Sequence, residues 1–157
     1  MSRAGVKVRK AASDSPGDVA ALAMLRYTWR GDEGDESGDP AEFSTALEQW
    51  WRDHSGTHRA WLAEREGAPV GMAWLVVVHR VPGPERFVRL AGIIQSVYVL
   101  PSERGQGTGA AAIAAVIATA RDQGLDYLTV HPSDRSYPLY QRAGFADTGR
   151  ALELALR

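Results

Sequence analysis

Residues 104–109 read Arg-Gly-Gln-Gly-Thr-Gly, joining the β-branched run Val97-Tyr98-Val99-Leu100 to an alanine-rich stretch from Ala110 to Arg121 that reads as helix. A strand, a glycine turn and a helix start, in that order, constrain this chain more than any other segment. Glycines let the backbone approach a ligand closely, and the first N–H groups of a helix have no partner inside it. Such a junction cradles anions, so the segment predicts a site for a phosphate-bearing cofactor.

Two familiar glycine loops are excluded by their missing residues. A nucleotide-triphosphate loop needs Gly-Lys-Ser/Thr, whereas Gly109 is followed by Ala110-Ala111. A dinucleotide fingerprint needs wider glycine spacing after the first strand of a βαβ unit. Here Gly105, Gly107 and Gly109 are closer together, and they lie late in the chain.

The elements around the loop are mixed. Val6–Arg9 alternates like a short strand, and Asp14-Ser15-Pro16 starts a helix that carries Val19, Leu22, Ala23, Leu25 and Arg26 at helical spacing. Gly31–Pro40, rich in glycine and acids, predicts an exposed loop, and Ala41–Asp53 a second helix with Phe43, Leu47, Trp50 and Trp51 near its apolar side. Thr57–Glu64 and Val70–Val78 form a hairpin about Glu66-Gly67-Ala68-Pro69, and Phe87–Leu100 is a third long strand. Gly124 stops the later helix, Leu125–His131 is a strand, Ser136–Ala143 a short helix, and Leu152–Leu156 a closing strand. The crossover through the glycine loop predicts one parallel pair in an otherwise antiparallel sheet.

Composition removes several classes of function. A chain of 157 residues fits a single domain, 1–157, and its net charge of −1 supplies no field for nucleic acid or an anionic membrane. No cysteine is present, which rules out disulfides, thiolate metal sites and a cysteine nucleophile. Met1-Ser2-Arg3-Ala4 lacks the apolar core of a signal peptide, and no apolar run is long enough for a membrane span. The expectation is a cytoplasmic protein. His54 and His58 straddle Ser55-Gly56, a poor metal pair, and no Gly-x-Ser-x-Gly elbow exists, so neither a metal site nor a serine hydrolase is expected. Trp50, Trp51, Trp61 and Trp74 read as core or pocket walls, since no basic groove accompanies them.

Arg-x-x-Gly-x-Gly at Arg104, Gly107 and Gly109 resembles the acetyl-CoA loop of the GNAT superfamily of N-acetyltransferases. Val97-Tyr98-Val99-Leu100-Pro101 has that family's strand pattern before the loop, and Tyr140-Gln141-Arg142-Ala143-Gly144-Phe145 matches its later Tyr-x-x-x-Gly-Phe element. The resemblance implies an α+β fold of GNAT type, with a twisted mixed sheet of six to seven strands and about four helices, splayed between its fourth and fifth strands. It implies acetyl transfer from acetyl-CoA to a primary amine within a ternary complex, without a metal. By this resemblance the main chain of Arg104, Gly105, Gln106, Gly107, Thr108 and Gly109 clasps the pyrophosphate. Val97, Tyr98 and Val99 would line the pantetheine arm, and Ser136 would either touch the cofactor or cap its short helix.

The chemistry needs a proton acceptor for the amine and a donor for the departing sulfur. By resemblance Tyr140 is the donor. The acceptor is not where relatives carry a glutamate, because the long strand offers Gln95 instead. His131, at the end of the next strand, titrates in the right range and is expected to face the cleft. Asp32, Glu33, Asp35 and Glu36 are a second source, and would draw a cationic amine. Acceptors left open are a small-molecule amine or a protein N-terminus. The final strand could pair two subunits into a homodimer. The competing reading is a non-catalytic CoA-binding sensor.

Overall fold

The structure is a computed structural model describing residues 5–35 and 37–157. Its elements are β1 (Val6–Lys10), α1 (Pro16–Asp32), α2 (Pro40–His54), β2 (His58–Arg65), β3 (Ala68–His79), β4 (Leu90–Val99), α3 (Thr108–Asp122), β5 (Leu128–Val130) and α4 (Tyr137–Arg142), with one 3-10 turn at Pro101–Glu103. The strands make one sheet in the order β1-β2-β3-β4-β5. Among the described residues only β4 and β5 run parallel, the arrangement that a crossover through α3 produces.

Local chemistry sets the boundaries. Ser15 Oγ accepts the Asp18 N–H at 3.3 Å and Asp39 Oδ1 accepts the Ala41 N–H at 2.8 Å, each just ahead of a proline in the first helical turn. Glu66 (φ 52°) and Gly67 (φ 80°) make a two-residue turn between β2 and β3, the left-handed pair whose twist matches a hairpin. At the end of α3, the Gly124 N–H bonds the Arg121 carbonyl at 3.1 Å and the Leu125 N–H bonds the Ala120 carbonyl at 3.0 Å. That is a Schellman stop, and Gly124 (φ 72°) supplies its left-handed residue.

The sheet buries both faces. Val19, Leu22 and Leu25 of α1 and Trp51 of α2 pack on Ala60, Leu62, Met72, Trp74 and Tyr98. On the other face Ile113 and Val116 of α3 and Tyr140 of α4 pack on Trp61, Ala73, Leu75, Val77 and Ile94. Successive residues of β2 and β3 thus serve opposite layers, as the pleat dictates. Gly92 permits close packing where β4 meets β5: an added Cβ would lie 2.6 Å from Leu128 Cδ2 and 2.8 Å from Leu75 Cδ1.

Five expectations are corrected. The sheet has five strands, not six to seven. Leu152–Leu156 forms no strand, and Leu152 is 98% exposed. Its alternation suits a strand, but a strand also needs a partner edge, and none takes it up. Strand β4 begins at Leu90 rather than Phe87, whose side chain is exposed, and β5 is shorter than Leu125–His131. Finally, α1 runs through Gly31 to Asp32, so the segment read as loop starts with helix. Among the described residues, no helix is long and apolar enough to cross a membrane.

Candidate active site

Strand β4 leaves its parallel neighbour halfway. Pairing with β5 ends at Ile94–Val130, whereas pairing with β3 continues to Val99. Trp74 faces Gln95 but Met72 faces Tyr98, so β4 carries an extra residue there. Ser96 sits in that bulge at φ 51°, a left-handed conformation that costs a non-glycine residue roughly 1–3 kcal/mol. Bulges re-aim a strand. Here the bulge lies where the β4 edge opens beside the glycine loop.

The loop itself is built from main chain. Gly105 (φ 74°) and Gly107 (φ 81°) are left-handed, and Gly107 caps α3. Among the described residues, the N–H groups from Gly105 to Ala110 donate to no backbone carbonyl; Ala111 is the first to do so, to Gly107 O at 3.0 Å. These unspent donors at a helix N-terminus fit an anion. Gly109 brings the first turn of α3 close to its neighbours, since a Cβ there would meet Leu139 Cδ2 at 3.3 Å and Val99 Cγ2 at 3.9 Å. Thr108 is buried without a partner for its Oγ1, and its side chain gives the helix no cap.

Side chains brace this loop from behind. Arg65, at the end of β2, donates to buried Glu103 at 2.8 Å and to Gln106 Oε1 at 3.3 Å. Arg104 turns inward: its Nε donates to Val99 O at 2.9 Å, and its guanidinium lies 5.5 Å from the Tyr98 ring centroid. Arg104 is therefore neither a free surface charge nor a side chain reaching outward for phosphate. A groove of about 330 Å³ continues from the loop between α3 and α4, with Ala110, Ala114, Leu139, Arg121 and Arg142 among its walls.

Tyr140 is buried against the α3 layer, edge-on to Phe145 with centroids 5.5 Å apart. Burial pushes its phenol up to about 12, so it holds its proton throughout the neutral range. Val97 packs against the same cluster. Tyr98 instead points to the opposite layer, where it stacks on Trp29 at 5.6 Å and donates its hydroxyl to Asp32. Burial first, and the Asp32 carboxylate second, hold the Tyr98 phenol at about 12.

A second cavity, of about 440 Å³, opens on that opposite layer beneath α1 and α2. Its walls include Arg26, Phe43, Trp50, His58, Trp74 and Ser96, with Gln95 beside them. Trp50 lies edge-on to both His58 (4.8 Å) and Trp74 (6.2 Å). Burial holds the His58 imidazole below its usual 6.5, and its Nδ1 lies 2.9 Å from Thr57 Oγ1. Arg26 is half-buried and donates to Ser96 Oγ at 3.1 Å.

The Acetyltransferase (GNAT) family model matches residues 20–145. The chain belongs to this family. Among curated relatives, the glucosamine 6-phosphate N-acetyltransferase of Trypanosoma brucei brucei is 34% identical over 90 residues, 57% of this chain and 59% of that one. A mycothiol acetyltransferase from Thermobispora bispora is 35% identical over 101 residues, which is 60% of this chain but 31% of the relative. The matches thus span less than two thirds of either relative. A crystal structure of a predicted acetyltransferase from Clostridium acetobutylicum with acetyl-CoA superposes at a TM-score of 0.76, covering 97% of each chain at 23% identity.

In this GNAT chain, the fold brings together Val97, Val99, the Arg104–Gly109 loop and α4 with Tyr140, but not every residue expected of the site. His131 lies just past β5 with a side chain 72% exposed, 3.7 Å from Glu153. The Ser136 hydroxyl donates to Ser133 O at 3.2 Å and does not cap α4. The acids divide as well. Asp32 takes the Tyr98 hydroxyl, while Glu33 and Asp35 are both answered by Arg30, at 3.2 and 2.6 Å. Glu36 lies outside the described residues. Sequence reasoning missed Arg26 and His58 as site residues. The signal for Arg26 was a charge at helical spacing from Leu22 and Trp29, both packed on the sheet side of α1.

Proposed function

We propose that this chain transfers an acetyl group from acetyl-CoA to a primary amine by direct attack in a ternary complex. The observation that carries this reading is the row of unspent N–H groups from Gly105 to Ala110, beside a β4 edge freed from β5. The pyrophosphate would take those donors, each charge-assisted bond contributing ~1.5–3 kcal/mol. The freed edge at Val97 and Val99 suits the amides of the pantetheine arm, which can add to it like a strand. The groove between α3 and α4, with Arg121 and Arg142, suits the remaining phosphate-bearing nucleotide.

This placement directs the thioester to the β4 bulge, with the α3–α4 layer on one side and the aromatic cavity on the other. An amine in the cavity forms its N–C bond as the C–S bond breaks. Tyr140 hydrogen-bonds the departing sulfur, and the thiolate takes its proton from the phenol, which refills from solvent. The proton lost by the amine passes to His58, which is neutral at pH 7 because burial disfavours its charged form, and His58 then returns it to solvent. An acceptor that enters as an ammonium therefore costs one net proton released to solvent. His58 is a better proton acceptor than His131, because it faces the cavity and His131 faces solvent beside Glu153. The sensor reading keeps one supporting fact, the amide of Gln95 on β4.

Thiol release from acetyl-CoA across an amine panel tests the proposal. We expect amine-dependent release that collapses in Tyr140→Phe while acetyl-CoA binding persists. Saturable CoA binding with no release from any amine would favour the sensor.

A further inference from the structure

The aromatic cavity contains one strong charge, and it is positive. Arg26 makes no ion pair among the described residues, although most arginines near the α1 end of the molecule do. Its bonds are a donation to Ser96 Oγ at 3.1 Å and a contact 4.9 Å from the Trp29 ring centroid. A guanidinium half-withdrawn from water, with donors to spare, calls for an anion. Among the described residues the nearby acids make their hydrogen bonds elsewhere, Glu33 and Asp35 with Arg30 and Asp32 with Tyr98, and Glu33 reaches Arg26 only through its field. The cavity therefore repels a polyamine and attracts an amine that carries its own negative charge.

Resting on the transferase reading above, we propose that the acceptor is an α-amino acid with an aromatic side chain, its carboxylate held by Arg26. Three features narrow the class. Arg26 is bonded to Ser96, the bulge residue beside which the thioester carbon must lie, so carboxylate and amine must be only a few bonds apart. Phe43, Trp50 and Trp74 offer flat apolar walls to the side chain, in a volume of about 440 Å³. Among the described residues no second cation lines the cavity and His58 is neutral there, so a carboxylate is matched where a phosphate dianion would be left half-compensated. A protein N-terminus lacks the carboxylate altogether.

The test compares L-phenylalanine with L-phenylalaninamide, which keeps the ring and the amine but lacks the carboxylate, with rates expressed per neutral amine because the amide's amine is the weaker base. Spermidine and glucosamine 6-phosphate complete the panel. We expect kcat/KM for phenylalanine to exceed that for the amide by about ten- to a hundredfold, the value of one charge-assisted bond. Arg26→Met should remove that advantage, raising KM for phenylalanine far more than KM for the amide. Arg26→Gln, which keeps a donor for Ser96, guards against a simple folding defect and should lose the same preference. Equal rates for acid and amide in the wild type overturn the proposal, as does preference for spermidine or glucosamine 6-phosphate. An equal loss on both substrates in the two variants also overturns it. If no amine releases thiol, the transferase reading fails by itself, and the pocket is judged by binding. Saturable quenching of tryptophan fluorescence by phenylalanine and not by its amide, in CoA-saturated protein, then upholds the anion site; equal or absent quenching refutes it.

Discussion

The two faces of the sheet reach their functions by different means. On the α3–α4 face the working groups are main-chain N–H donors, held in place by left-handed glycines and a buried Arg65–Glu103 pair. On the α1–α2 face they are side chains, Arg26, His58 and three aromatics, drawn from separate helices and strands. A backbone site tolerates many side chains but depends on a few conformations. A side-chain site has the opposite sensitivity. The comparison therefore predicts that variants of the glycine loop and its braces change affinity for the CoA thioester, that variants of the aromatic cavity change the choice and activation of the amine, and that Tyr140, at the reacting sulfur, changes turnover alone.

Tyr140→Phe should have the largest effect, because it removes an oriented donor at the reacting sulfur. We expect kcat to fall by about 10²–10³ with acetyl-CoA affinity unchanged, read by steady-state kinetics beside calorimetry. Next comes Arg65→Ala, which removes the guanidinium that bonds both buried Glu103 and Gln106 behind the loop. Breaking such a pair costs about 3–5 kcal/mol, so denaturant unfolding should show it, and acetyl-CoA binding should weaken in whatever fraction stays folded. Gly92→Ala is the control away from both sites. The added methyl meets Leu128 and Leu75 below 3 Å, and should cost about 1–3 kcal/mol while leaving KM for both substrates alone.

The smallest effect expected is on pH. With His58 held below 6.5, activity referred to the neutral amine should stay flat down through pH 7 and fall below 6.5, as the imidazole gains its proton. The linkage has the same sign. The folded state binds this proton less readily than the unfolded chain, so the contribution of His58 to stability is lost as pH drops below about 6.5. His58→Gln should flatten the acid limb of kcat/KM. His131→Gln should leave it unchanged, and the reverse pattern would return the proton acceptor to the edge of β5.

What the sequence disclosed follows the same division. The glycine loop, the parallel crossover and the position of Tyr140 on a short helix were legible because each follows from a contiguous stretch whose spacing has a direct geometric meaning. The cavity was not legible. Arg26 and Ser96 are 70 positions apart yet hydrogen-bonded, and only the β4 bulge brings them together. The acidic segment misled for a related reason: composition showed its carboxylates but not that Arg30 and Tyr98 engage three of them. Leu152, Leu154 and Leu156 show the limit of periodicity, which describes what a strand looks like without supplying the edge it must join.

Amide chemical shifts of uniformly labelled protein titrated with CoA test the division of labour most directly. The largest perturbations should fall on residues 105–110 and on Val97 and Val99, with little change around Phe43, Trp50 and His58. Perturbations centred on the aromatic cavity, or none on the glycine loop at saturating ligand, would contradict the account.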